Sequence, residues 1–257
     1  MRALPTDVPQ RTRSASATGI AWRFSLAFAA CIALGARPAQ GARPFITDDA
    51  RIVDHGACQA ETWTQQGPDG NEYWLLPACN PTGNLELSLG GGVIPDTDGG
   101  LTPVVQLQAK TLFRPLEPGS FGFGLVGGSV VNSGALAEDT ELGSAFAYVP
   151  LSVAPPQEML VAHINGGLRW EAAGNDWRGL WGIGAEFELV TRLYAVGEVY
   201  GNQDEFSQIG LRLWLIPDHL QLDATYGRQL GVGREGEWFT VGMRGLTSPF
   251  FFLGSDS

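Results

Sequence analysis

Lysine is all but missing from this chain of 257 residues: Lys110 is the single lysine among sixteen basic residues. Charged residues of both signs make up only 17%. Nothing in the physical chemistry of the sequence accounts for the lysine deficit. Long apolar runs are scarce too. The longest, "FSLAFAACIALGA" at 24–36, falls short of the roughly twenty residues that a helix needs to cross a bilayer, so no transmembrane helix is expected. Histidine is limited to His55, His163 and His219. None combines with the cysteines at zinc-like spacing, and no metal site is expected. No "GxSxG" lies near His163 to suggest a serine nucleophile. The glycine clusters "LGGG" and "FGFGLVGG" fall inside strand-like patterns instead of opening a helix, so neither a nucleotide nor any other cofactor is expected.

What is present excludes disorder and favours strands. Apolar residues make up 44%, with 35 glycines, 16 prolines and eight tryptophans, a composition that suits a many-stranded protein rich in turns. Arg2, Arg11, Arg13 and Arg23 precede the apolar run at 24–36, and "AQGA" after it offers small residues at Ala39 and Gly41. This order is that of a secretory signal peptide, which assigns residues 1–41 to export, with cleavage after Gly41. Cys31 in "FAAC" superficially resembles a lipoprotein acceptor, but apolar residues continue past it. Without residues 1–41 the chain keeps eleven basic and twenty-six acidic residues, a net charge of −15. Such acidity disfavours nucleic acid as a partner. Cys58 and Cys79 then remain, and an even number of cysteines in an oxidising compartment reads as a disulfide.

From residue 57 onward, apolar and polar residues alternate with turn residues between segments. Period-two runs place strands near 57–66, 71–78, 83–93, 102–113, 121–131, 143–153, 159–170, 178–190, 192–200, 206–216, 219–228 and 237–246. Many of these segments are as long as a tilted strand that crosses a bilayer. In "RLWLIPDHLQLDATYGRQL" Leu213 and Leu215 share one parity before a turn at Pro217 and Asp218, and Leu220, Leu222 and Tyr226 share one after it. Arg212, Gln221 and Asp223 occupy the opposite face. A soluble sandwich turns the apolar face inward, whereas a membrane barrel turns it outward. The apolar face is rich in alanine and glycine, which fill a packed core poorly but can face lipid, and the polar face carries both signs of charge. The expected fold is therefore an all-β, antiparallel transmembrane barrel of about twelve strands over residues 57–248. An extended segment at 42–56 precedes it, at the periplasmic rim or in the lumen, and a C-terminal tail at 249–257 follows. Trp170, Trp177 and Trp181, and also Tyr200 and Phe206, read as interfacial aromatics, and connections read as short on one rim and longer on the other. Asp48, Asp49 and Asp54 could hold a cation, although aspartates in such a segment more often serve turns.

The segments "RPFITDDARIV", "CQAETW", "LLPACNPTGNLELSLGGG", "AHINGGLRWE" and "IGLRLWLIPDHLQLDATYGR" resemble the outer-membrane proteins of the meta-pathway of phenol degradation family. The resemblance spans essentially the whole chain after the leader. It implies an outer-membrane barrel and, by association with aromatic degradation, transport of small solutes. One departure is the end of the chain: barrels of this kind usually finish in an aromatic on the last strand, whereas here "TSPFFFLGSDS" follows "WFTVGMRGL", leaving Phe250, Phe251 and Phe252 as substitutes.

On this reading Glu86, Lys110, His163, Arg169, Glu186, Glu188, Glu198, Arg212, Asp223 and Arg244 line the lumen. The expected function is a non-enzymatic outer-membrane channel for small polar or aromatic solutes, with outer-membrane lipids and the assembly machinery as partners. Two alternatives stay open. The polar residues could pair across a closed lumen and leave a structural or partner-binding barrel, or His163 could serve a lipid hydrolase. Arg212→Leu is expected to be milder than arginine at Leu213 or Leu222.

Overall fold

The structure is a computed structural model that describes residues 45–96, 99–132, 143–157, 159–171 and 175–250. The expected signal peptide at 1–41, Cys31, and Phe251 and Phe252 lie outside the described residues. Twelve strands follow one another: β1 (Cys58–Gly67), β2 (Gly70–Cys79), β3 (Glu86–Pro95), β4 (Leu101–Arg114), β5 (Phe121–Asn132), β6 (Ser144–Val153), β7 (Leu160–Glu171), β8 (Asp176–Val190), β9 (Leu193–Gly201), β10 (Glu205–Ile216), β11 (Leu220–Gln229) and β12 (Glu237–Leu246). Each pairs antiparallel with its sequence neighbours, and β1 pairs with β12 to close the barrel. Closure leaves no row of backbone donors and acceptors facing lipid, the condition a strand-built membrane protein must meet. Among the described residues no helix is long and apolar enough to cross a membrane, which says nothing about crossing by strands.

Alternation sets which side faces out. In β10, Arg212 has no exposed surface, whereas Ile209, Leu211, Leu213 and Leu215 are all exposed. The same split recurs on β3 (Leu87 and Leu89 out, Glu86 and Ser88 in) and on β7 (Ile164 and Leu168 out, His163 and Asn165 in). Register is pinned across β10 and β11, where Arg212 stands opposite Asp223 and Leu213 opposite Leu222. A slip of one residue would turn charges to lipid and leucines to the interior, so the pattern itself holds the register. The outcome is an apolar exterior, the surface of a barrel seated in lipid.

Two expectations need correction. Trp177 and Trp181 are exposed on the outer face, but Tyr200 and Phe206 share the parity of the buried Glu198 and Gln208, and their rings stack inside at 5.4 Å. Position at a strand end suggested an interfacial girdle, but parity decides. The connections do not divide cleanly into short and long either. The end bearing both barrel termini carries the tight turns at 191–192 and 217–219 but also 80–85, 115–120 and 154–159. The opposite end mixes the two-residue turn at 68–69 with the segment at 230–236, which includes a turn of 3-10 helix at Arg234–Gly236.

Cys58 and Cys79 face each other at the terminal end of the β1–β2 hairpin and form the expected disulfide, with Cα atoms 4.0 Å apart. Phe250 donates its backbone N–H to the Gly56 carbonyl at 3.0 Å, which ties the residues after β12 to those before β1.

Candidate functional site

Residues 45–57 run as an extended strap from the start of β1 into the barrel. A closed barrel offers this strap no free edge, and its backbone groups cannot stay unpaired once buried. Lumen side chains supply the partners. Glu198 on β9 accepts the Ile46 N–H at 2.8 Å on one oxygen and the Thr47 N–H at 2.7 Å on the other. The Ser152 hydroxyl on β6 accepts the Ala50 N–H at 2.8 Å, and Glu86 on β3 accepts the Val53 N–H at 3.0 Å. Asn80 donates to the Val53 carbonyl at 2.7 Å. Apolar contacts add to these at both ends of the strap. Ala50 packs with Leu112, Leu116, Ala154 and Val161, and Phe45 packs with Tyr194, Val196 and Trp214.

Room for the strap comes from an inward glycine of β8, since a Cβ at Gly182 would lie 2.5 Å from the Thr47 hydroxyl; one at Gly184 would sit in ordinary contact, 3.5 Å from both Phe45 and Thr47. Glycine inside a strand often marks the close approach of another backbone, so "WGIGAEFEL" held a sign of the strap that alternation alone does not reveal.

The strap also carries charge into the lumen. Lys110 on β4 pairs with Asp48 at 2.7 Å and Asp49 at 3.2 Å, and the Tyr148 hydroxyl donates to Asp48 at 3.1 Å. Burial pushes the Asp49 carboxyl up, but the positive charges of Lys110 and Arg51 outweigh it and hold the group well below the usual carboxylate range. Arg212 pairs with Glu186, and Arg244 donates through Nε to Gln59 at 2.7 Å. Buried charges at these separations stand only because each meets an opposite charge or a hydrogen-bond partner.

Ser152, His163 and Glu186 form a relay. The Ser152 hydroxyl lies 2.8 Å from His163 Nδ1, and His163 Nε2 lies 2.9 Å from Glu186. The Ala50 N–H can only donate, so the Ser152 oxygen accepts there and its proton is free to go to Nδ1. In the tautomer that carries its proton on Nε2, that nitrogen donates to Glu186. The arrangement has the residue types of a hydrolytic triad. Ser152 and His163 have no exposed surface, however, and the serine oxygen already holds the strap.

Beside the strap the lumen opens into a cavity of about 320 Å³, bordered by Phe45, Arg51, Leu76, Phe146, Tyr148 and Leu180 among others. A second space of about 210 Å³ lies against Ile46, Tyr148, Leu180, Tyr200 and Phe206. Further rings belong to the interior, with Trp63 and Trp74 stacked at 5.4 Å and Phe206 edge-on to Trp238 at 6.0 Å. The lumen thus has two parts, a buried network of charges around the strap and an aromatic space beside it.

Of the ten residues expected inside, Glu86, Lys110, His163, Glu186, Glu198, Arg212, Asp223 and Arg244 are buried. Arg169 borders both cavities, paired with Glu171 at 2.6 Å, and Glu188 is half-buried at the terminal end of β8. Sequence reasoning missed Ser152, Arg51 and the inward rings Trp63, Trp74, Phe146, Tyr148 and Trp214. Their parity relative to Glu61, Ser152 and Arg212 was the signal that could have found the rings. Asp48 and Asp49 serve ion pairs with Lys110, and no cluster suited to a metal ion occurs among the described residues.

The fold matches solved outer-membrane barrels at low sequence identity. The protein solved as "KdgM porin in complex with disordered oligogalacturonate" superposes with a TM-score of 0.56 at 10% identity, over 74% of this chain and 98% of that one. The NanC porin gives 0.54 at 12% identity, over 73% and 98%. The COG4313 outer membrane channel from Pseudomonas putida F1 gives 0.53 at 11% identity, over 77% and 98%. At such identities the likeness concerns the fold alone. No curated protein matches the sequence. A family model described as uncharacterised conserved protein UCP029691 matches residues 27–245, and the chain belongs to that family.

Proposed function

We propose that this protein is an outer-membrane channel for small solutes, closed at rest by its own N-terminal strap. The observation that carries the reading is the combination of an apolar exterior with a lumen that holds open cavities beside a strap threaded from one end. A purely structural barrel has no need of unfilled interior space, and a barrel of this size can pack its lumen with side chains alone. The shared fold with porins and with a COG4313 channel supports the reading. So does the resemblance to the meta-pathway of phenol degradation family, which, with the inward rings, favours solutes that carry an aromatic or other flat apolar body. Residues 1–41 serve export, and Glu86, Lys110, Glu198 and Arg212 hold the closed state more than they select solutes.

A hydrolase role for the Ser152–His163–Glu186 relay is disfavoured by geometry: the serine is buried, engaged by Ala50 and remote from lipid. Conductance in planar bilayers tests the channel. The full chain should give small or rare currents, and a chain lacking residues 45–53 should give a larger, steady, ohmic conductance. Absence of current from both refolded proteins would refute the proposal.

A further inference from the structure

One cation of the interior is left without the hydrogen bonds that the others have. Lys110 is held by Asp48 and Asp49, Arg212 by Glu186 and Arg244 by Gln59, and Arg169, which is less buried, pairs with Glu171 at 2.6 Å. Arg51, on the strap, is only 9% exposed, yet none of its three guanidinium nitrogens has a hydrogen-bond partner among the described residues. Its nearest charges are Asp49 at 3.8 Å and Glu186 at 3.7 Å. Glu186 is shared between His163 and Arg212. Asp49 gives Oδ1 to Lys110 and to the Arg51 backbone N–H, while its Oδ2 faces Arg51 from beyond hydrogen-bond distance and has no hydrogen-bond partner among the described residues. A buried guanidinium with all five donors unused is costly; its nitrogens are covered at rest, and the Arg51 side chain borders the cavity of about 320 Å³.

From this we infer that Arg51 marks the floor of a binding site for a small carboxylate with a flat apolar body, an inference that rests on the channel reading. A carboxylate presents two oxygens at the spacing of the guanidinium fork and can satisfy it bidentately. The cavity lies at the lower end of the range that small-molecule sites occupy. Its remaining walls suit the rest of such a solute, since Phe45, Leu76, Val130, Phe146 and Leu180 supply apolar surface around the charged floor. Acidic and basic side chains are balanced around this cavity, with Asp48, Asp49, Glu61 and Glu86 against Arg51, Lys110, Arg169 and Arg244. The strap thus does more than block the lumen: it carries the group that meets the solute, and binding there draws Arg51 away from Asp49 and Glu186.

Isothermal titration of the folded full chain in detergent micelles with benzoate, benzyl alcohol and benzylamine tests the assignment. Benzoate should bind at least tenfold more tightly than either of the others. Arg51→Gln should weaken benzoate at least tenfold. Val130→Trp, which fills the cavity from the wall and leaves Arg51 in place, should abolish binding. Equal binding of the three compounds, full benzoate affinity in Arg51→Gln, or no benzoate binding by the folded protein would each overturn the site, the last meaning that Arg51 is satisfied by Asp49 alone. Conductance of the strap-deleted chain is read independently, so a failed titration with intact current removes the carboxylate site and leaves the channel standing.

Discussion

Replacing Glu198 with alanine removes the acceptor of two strap N–H groups, those of Ile46 and Thr47, at 2.8 and 2.7 Å. The Thr47 donor is buried and the Ile46 donor only partly so, and neither has another acceptor among the described residues. Orphaning a buried donor costs about 1–3 kcal/mol, and the part-buried Ile46 donor adds less, so docking of the strap should weaken by about 2–4 kcal/mol. Each 1.4 kcal/mol is about a tenfold change in an equilibrium. The population with the strap released should then rise about thirtyfold or more. Trypsin reads that population, because Arg51 is buried when the strap is docked and becomes a cleavage site when it leaves. Where the strap opens and closes faster than it is cut, the cleavage rate follows the population of the open form. Cleavage after Arg51, seen as a new N-terminus at Ile52, should accelerate about thirtyfold in Glu198→Ala. The barrel itself should keep its heat-modifiable migration. A rate within twofold of the parent chain would refute the argument that Glu198 holds the strap.

Gly182→Val should act on the same equilibrium by crowding Thr47, at a cost of about 1–3 kcal/mol, and single-channel recordings should show a raised open probability. Leu213→Arg puts a charge on the lipid face and should lower the folding free energy in a refolding titration by about 2–4 kcal/mol. Arg212→Leu, expected from sequence to be the milder change, should be at least as severe at about 3–5 kcal/mol, because it leaves Glu186 buried without its main partner. Converting Cys58 and Cys79 to serine should lower the urea midpoint in line with a loss of about 3 kcal/mol. The depressed Asp49 carboxyl contributes docking free energy that is fully present above its unfolded-state pKa and is lost only as pH falls below the usual carboxylate range. Conductance should therefore stay low through mild acid and rise only below that range.

The barrel was legible because a lipid-facing wall imposes period two over whole strands. Leu211, Arg212 and Leu213 already say which face is which, and the predicted strand limits differ from the observed ones by a few residues at most. The candidate site was legible only as a set of inward charges. Their partners come from strands and a strap far apart in sequence, so that Lys110 meets Asp48 and Glu198 meets Thr47. No local pattern encodes such pairings. The strap itself has no alternation because its backbone is satisfied by lumen side chains and by scattered backbone bonds such as Leu116 N–H to the Ala50 carbonyl, not by a ladder, and a local trace of its path is Gly182 on the wall it crosses. The inward rings were misread for a related reason. Tyr200 and Phe206 sit at strand ends, where an aromatic suits either an interface or a lumen, and only counting from Glu198 and Gln208 separates the two.

Apolar side chains of the barrel face lipid while charged ones face inward, and a spin-label scan along β10 tests this directly. Single cysteines at positions 208 to 215, labelled in the presence of the intact Cys58–Cys79 disulfide and reconstituted in lipid, would be measured for collision with dissolved oxygen, which concentrates in the bilayer. Collision rates should oscillate with period two, with labels at 209, 211, 213 and 215 accessible and those at 208, 210, 212 and 214 protected. Uniform accessibility along the strand, or maxima at the even positions, would contradict it.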